Sequence, residues 1–129
     1  MQSVRRERTT PEETLSLLLD REHLDFARNV ETLPGKPDFV FDEIRLVVFV
    51  HGCFWHGHEH CRKGRSRPKS NRRYWREKID RNKRRDHRVA GQLRRLGYGV
   101  FTVWECELRE KRIPTRLAKR LALDDGEWS

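Results

Sequence analysis

Between His51 and Cys61 the chain reads His-Gly-Cys-Phe-Trp-His-Gly-His-Glu-His-Cys, a run that holds two of the three cysteines and four of the six histidines. Sulfur and imidazole donors at such short spacings suit one tetrahedral zinc ion. The third cysteine, Cys106, stands far down the chain. A fold that uses all three thiols must therefore bring the 106 region back to this loop, which removes most possible chain paths. Histidines in excess of one zinc site imply a second, catalytic task beside it. Phe54-Trp55 is an apolar wedge within an otherwise polar run. Buried cysteines and histidines normally occur singly, so core packing is a poor account of the cluster. The plain alternative is three unrelated buried thiols. An odd cysteine count is a poor disulfide framework, and a reducing, cytoplasmic setting is expected.

The flanking sequence predicts how the loop is reached. Ile44 to Val50 is almost continuous in β-branched and aromatic residues, the composition of a strand buried on both faces. It delivers its C-terminal end into the loop. A Pro/Gly turn at Leu33–Pro37 precedes a shorter β-prone stretch, Asp38–Asp42. A long helix is expected from Asn71 to Leu96, ended by Gly97, and a second strand from Val100 to Trp104 leads to Glu105-Cys106. Strand, helix, strand predicts a right-handed crossover with the two strands parallel, so Cys106 returns to the edge that carries Cys53 and Cys61. Upstream, Thr10-Pro11-Glu12-Glu13 reads as a helix start with Leu15, Leu18, Leu19 and Leu24 as its apolar face. Residues 62–73 are expected as a basic loop, because glycine and proline interrupt them. A short helix is expected from Thr115 to Leu123. One domain spans residues 1–129, with a basic arm at 1–10 and a polar tail at 124–129. The fold class is α/β, a central mixed sheet flanked by helices with a structural zinc site.

Charge narrows the partner. Against 20 acidic residues stand 29 Lys and Arg, a net charge of +9, which favours an anionic partner, nucleic acid first. A merely solvated basic surface is the bland alternative. No apolar run approaches the ~18 residues of a membrane span, and the start of the chain lacks the apolar core of a signal peptide. The zinc set is Cys53, Cys61 and Cys106 with one imidazole, His58 or His60. His58 is preferred, since His60 adjoins Cys61 and adjacent residues rarely chelate one ion without strain. Four protein ligands make a closed, structural site. Asp38 follows Pro37 at a strand start among Phe39 and Val40, where a carboxylate is costly unless it meets a cation or a donor. Magnesium suits a carboxylate with a few further oxygens. For Glu12 and Glu13, complementing the helix dipole is the simpler reading.

Pro37-Asp38-Phe39-Val40, His51-Gly52-Cys53-Phe54-Trp55-His56, Asn82-Lys83-Arg84-Arg85-Asp86 and Val103-Trp104-Glu105-Cys106 together resemble the very short patch repair (Vsr) endonucleases. The resemblance runs from about Glu12 to Leu108. It implies a restriction-endonuclease-like fold and a magnesium-dependent nick in double-stranded DNA 5′ to the thymine of a T:G mismatch, the product of 5-methylcytosine deamination. Most nucleases of that fold place an acid-x-Lys on the strand after Pro-Asp, whereas Phe49-Val50-His51 stands here and histidines take over. By the resemblance, Asp38 and the carbonyl of Val50 would hold magnesium. His51 and His56 would be catalytic, Glu12 would lie near the metal's waters, and Asp86 would orient His56. Phe54 and Trp55 would wedge beside the mismatch, with Trp75 and Lys78 on the DNA side of the long helix. Cys53, His58, Cys61 and Cys106 would hold zinc, with the choice between His58 and His60 left open. Many family members carry a longer basic segment before the first helix than the ten or so residues here.

The chemistry is coherent without the family. Phosphodiester hydrolysis needs a water deprotonated near neutral pH, a task for imidazole beside a metal. A T:G pair stacks more weakly than a Watson–Crick pair, so an aromatic wedge opens it at lower cost. Packing in the core is the competing role for Phe54 and Trp55. Two other readings compete for the whole chain: a site-specific or restriction-type nuclease of the same fold, and a zinc-stabilised DNA-binding module without catalysis. Asp38, His51 and His56 argue against the second. A monomer acting on one duplex is expected.

Overall fold

Thr10 opens the first helix, α1 (Pro11–Arg21), with a capping box. Its Oγ1 accepts from the Glu13 N–H at 3.2 Å, and its own N–H donates to Glu13 Oε1 at 3.3 Å. The structure, a computed structural model, describes residues 10–122. The arm at 1–10, apart from Thr10, and the tail at 124–129 lie outside the described residues.

Four strands follow in the order in which they pair: β1 (Ala27–Arg28), β2 (Phe39–Phe41), β3 (Leu46–His51) and β4 (Gly99–Trp104). β1 and β2 are antiparallel, as are β2 and β3, while β3 and β4 run parallel from Leu46↔Gly99 to His51↔Trp104. The sheet is therefore mixed. Side chains alternate across it with period two. Phe39, Phe41, Leu46, Val48, Phe101 and Val103 pack with Leu15 and Leu19 of α1 and with Leu117 of α4 (Thr115–Arg120). Val40, Val47, Phe49 and Val100 face the other way, onto Leu93 and Val89 of α3 (Arg72–Arg95). Both faces are covered, which is why β3 is apolar at nearly every position.

Departures from the expectations have local causes. The strand expected from Ile44 starts at Leu46, because Asp42–Ile44 form a 3₁₀ turn and Arg45 adopts a left-handed conformation (φ 52°). From there Arg45 donates to the Leu96 carbonyl at 2.7 Å and covers the Tyr98 ring at 4.0 Å, sealing the end of α3. That end is a Schellman motif: Tyr98 N–H bonds the Leu93 carbonyl, Gly97 N–H bonds that of Arg94, and Gly97 sits at φ +94°. Leu24 lies beyond α1 yet packs on the same core. The C-terminal helix stops at Arg120. The basic loop expected at 62–73 contains one helical turn, α2 (Arg62–Arg65). Gly64 permits it: a Cβ there would lie 1.9 Å from the His58 carbonyl oxygen.

Candidate active site and metal centre

Antiparallel pairing of β2 with β3 sets the start of one beside the end of the other, so Asp38 arrives next to Val50. The Val50 N–H donates to Asp38 Oδ2 at 2.7 Å. Burial, opposed by that donor, still pushes the Asp38 carboxyl up to about 6, and the neighbouring Glu12 adds to the rise. Glu12 comes from the first turn of α1 and is held by Arg28 of β1, whose Nη2 donates to Glu12 Oε2 at 2.7 Å. Two carboxyls and the end of β3 thus share one corner. Such a pair is costly without a cation between them, and oxygen donors of this kind fit magnesium.

The last residue of β3, His51, stacks face to face on His56, with ring centroids 3.8 Å apart and planes within 7°. Asp86 of α3 reaches both: its Oδ2 lies 2.6 Å from His56 Nδ1 and 3.9 Å from His51 Nδ1. Burial and the neighbouring His56 push His51 down to about 4, so it is neutral at physiological pH. Burial works against ionisation of Asp86, but the His56 hydrogen bond and nearby positive charge outweigh it, and the carboxyl stays below its ordinary value. An ionised Asp86 only accepts, so His56 Nδ1 carries the hydrogen and neutral His56 presents a bare Nε2. Asp38, Val50, His51, His56 and Asp86 line one cavity of about 330 Å³, together with Arg85.

On the other side of His51 the donor atoms of Cys53, His58, Cys61 and Cys106 all lie within 4.8 Å of one another, and His60 falls outside the group. Cys106 reaches it because β4 runs parallel to β3, and its Sγ is 3.6 Å from His58 Nδ1. Tetrahedral zinc with bonds of about 2.0–2.3 Å asks for donor separations on this scale. The His58 ring stacks on Trp104 at 4.1 Å, which fixes its plane. Cys61 receives the backbone N–H of Gly64 and Lys63, which lowers its thiol pKa; both belong to the helical turn α2. Burial pushes the Cys53 thiol up to about 12, a penalty that a bound cation would offset. Replacing Gly64 with alanine should cost about 1–3 kcal/mol by overpacking against His58, read as a lower midpoint in thermal unfolding; an unchanged midpoint would mean the turn yields freely.

Phe54, Trp55 and Trp75 form a surface cluster of rings 5.2–5.6 Å apart. Trp55 is 46% exposed, so the cluster is not core beneath the loop. Lys78 follows one turn after Trp75 on α3 and is half-exposed. Residues to which the sequence reading gave no individual role hold this loop in place. Asn82 donates to the Trp55 carbonyl at 2.9 Å. Glu105 accepts from the Cys53 N–H at 3.1 Å and pairs with Lys63 at 3.0 Å. Arg28 has no local signal at all, whereas Glu105 could have been suspected from its place beside Cys106.

Comparison with known proteins agrees with this arrangement. A family model described as DNA mismatch endonuclease Vsr matches residues 1–63. The DNA mismatch endonuclease Vsr of Escherichia coli K12 is 43% identical over 130 residues, 99% of this chain and 80% of that protein. The type II nicking enzyme V.XorIIP of Xanthomonas oryzae pv. oryzae is 47% identical over 110 residues, 85% of this chain and 79% of the relative. V.NmeAIP, a type II nicking enzyme of Neisseria meningitidis, is 40% identical over 121 residues, 94% and 85% of the two chains. The mixed sheet with helices on both faces is the restriction-endonuclease-like core expected from the sequence. With identity of this order across most of both partners, and the family model lying over the segment that carries Asp38, His51 and His56, the chain belongs to the Vsr family of DNA mismatch endonucleases.

Proposed function

We propose that this endonuclease nicks double-stranded DNA 5′ to the thymine of a T:G mismatch, with magnesium as cofactor and zinc as a structural ion, acting as a monomer in a reducing cytoplasm. The observation that carries the reading is the adjacency of Trp55, exposed within an aromatic cluster, and His56, anchored on Asp86. A ring suited to opening a weak base pair stands one residue from an imidazole suited to taking a proton.

Asp38 and the Val50 carbonyl would hold magnesium, with Glu12 close enough to bind its hydration shell. When bound, the ion would polarise the scissile phosphate and lower the pKa of the attacking water. His56 takes the water's proton at Nε2, and Asp86 steadies the imidazolium through Nδ1. His51, neutral and stacked on His56, keeps one N–H to offer a phosphate oxygen. Arg85 lies on the same cavity as a further cation. Cys53, His58, Cys61 and Cys106 would hold zinc away from the reaction, with no place left for a substrate.

The test is incubation with magnesium and end-labelled duplexes that differ only at one pair, T:G or T:A. A nick restricted to T:G, on the thymine strand and dependent on magnesium, is expected. Relatives at 47% and 40% identity are named type II nicking enzymes, so the duplexes should vary the flanking sequence. Equal nicking of T:G and T:A in every context would reject mismatch recognition in favour of plain site-specific cleavage.

Recognition and chemistry should separate by mutation. Trp55→Ala is expected to reduce T:G preference by about 1–3 kcal/mol, the scale of one base–aromatic stack, with zinc content and melting unchanged. His56→Ala should keep T:G binding and lose the nick. Paired binding and nicking measurements on both duplexes decide this, and an unaltered preference in Trp55→Ala would leave that ring without a role in recognition.

A further inference from the structure

Arg28 of β1 neither lines the catalytic cavity nor belongs to the zinc group, yet it stands at the carboxylate corner. Strand pairing sets it opposite Phe39, the residue after Asp38. Its guanidinium lies 5.4 Å from the Phe39 ring centroid and donates from Nη2 to Glu12 Oε2 at 2.7 Å. Burial raises the Asp38 carboxyl, the Val50 N–H lowers it, Glu12 raises it and Arg28 lowers it. One guanidinium and two carboxyls therefore share a single field. We propose that Arg28 is a positioning residue that holds Glu12 back from direct coordination of magnesium, so that Glu12 acts on the ion's water.

Arg28 has this role only if magnesium is held by Asp38 and the Val50 carbonyl, as proposed for the reaction. Two neighbouring carboxylates can both enter the inner shell of a divalent ion, and each that enters displaces water. Magnesium bound through one or two carboxylates keeps several waters, and hydrolysis draws its nucleophile from water on the metal. One oxygen of Glu12 is already committed to Arg28 in a short, charge-assisted bond. Both ends of that bond are anchored. The Arg28 backbone pairs with β2, and its side chain lies over Phe39. Glu12 stands in the first turn of α1, whose start is closed by the Thr10 capping box.

Loss of the guanidinium removes a positive charge from the corner and releases Glu12 towards the ion. Both changes tighten magnesium. Only the second strips water from it, and only the second needs Glu12. A plainer role for Arg28, tying α1 to β1, would lower the melting temperature without tightening magnesium.

Arg28→Met keeps aliphatic cover on Phe39 and removes the donor. Magnesium binding is read without DNA, as the concentration that half-maximally raises the melting temperature. Nicking of the T:G duplex is read at saturating magnesium. In Arg28→Met the half-maximal concentration and the saturated rate should each fall about tenfold, the scale set by loss of a partner behind a metal ligand. Arg28→Lys, which keeps the charge and a donor, should restore both. In a Glu12→Gln background Arg28→Met should change neither. Arg112→Met, which removes an exposed cation paired with Glu110, should behave as the parent. Zinc content and magnesium-free melting report folding, and Arg28→Gln replaces the methionine variant if that one does not fold. Magnesium bound equally or more weakly in Arg28→Met overturns the positioning role. So does tightening without a slower saturated rate, or tightening that persists beside Glu12→Gln, since charge alone explains either. A Glu12→Gln variant that binds magnesium and nicks like the parent overturns both this role and the placing of Glu12 beside the ion's waters.

Discussion

Asp38→Ala is expected to lower the nicking rate by about 10³-fold, the loss that follows removal of one preorganised group from charge stabilisation in a transition state. Folding and DNA binding should survive, because Asp38 precedes β2 and contributes no side chain to either apolar cluster. Asp38→Asn is the sharper probe. Its amide oxygen can still accept from the Val50 N–H, so the corner between β2 and β3 is kept while the charge is lost. In magnesium-free buffer at neutral pH this variant should melt above the parent. The sign follows from the Asp38 carboxyl standing at about 6, above its ordinary value of 3.8. Folded protein holds that proton more tightly than the unfolded chain, so ionisation works against folding. The penalty is fully present above pH 6 and disappears as the pH falls through the unfolded value. A variant that nicks near the parental rate would remove Asp38 from the metal assignment, and a lower melting temperature would mean the charge is satisfied some other way.

Loss of zinc should have the other large effect. One tightly held zinc per chain is expected, and Cys106→Ser should collapse the yield of folded protein. Structural zinc contributes apparent free energies on the order of 10 kcal/mol, comparable with the whole stability of a small domain, about 5–15 kcal/mol. Here the ion would join the His51–Cys61 loop to the end of β4, so its loss frees both. Strong chelation should likewise lower the melting temperature, and added zinc should restore it. Metal analysis that finds no zinc in pure, active protein would end this assignment.

Much of the arrangement could be read from the residues because it depends on backbone periodicity. β3 and β4 announce themselves by composition, and the long helix between them makes them parallel, which sends Cys106 towards Cys53 and Cys61. Gly97 marks the end of α3 for a stated conformational reason. What escaped depends on pairing in space. β1 is two exposed residues without an apolar pattern, and it exists through pairing with β2. The turn α2 runs against glycine's low helix propensity, and its backbone N–H groups meet Cys61, a contact no local pattern announces. The clamp of Glu105 on Cys53 joins residues 52 positions apart, and only the place of Glu105 beside Cys106 hints at it. The meeting of Asp86 with His56 was implied by the resemblance alone, since the phase of α3 against the sheet is a packing variable that composition and spacing leave free.

The parallel ladder of β3 and β4 also orders events in time. The β2–β3 hairpin and α3 are built from nearby residues, and elements of that kind form within microseconds. Pairing Leu46 with Gly99 must wait until the whole intervening segment has closed, since loop-closure entropy is lost before distant contacts reward it. Cys106 joins the other three donors only when that closure is complete. Capture of zinc by these four donors would therefore be a late step of folding, a latch engaging a sheet already assembled, and the nascent chain would need the metal only once Cys106 had left the ribosome.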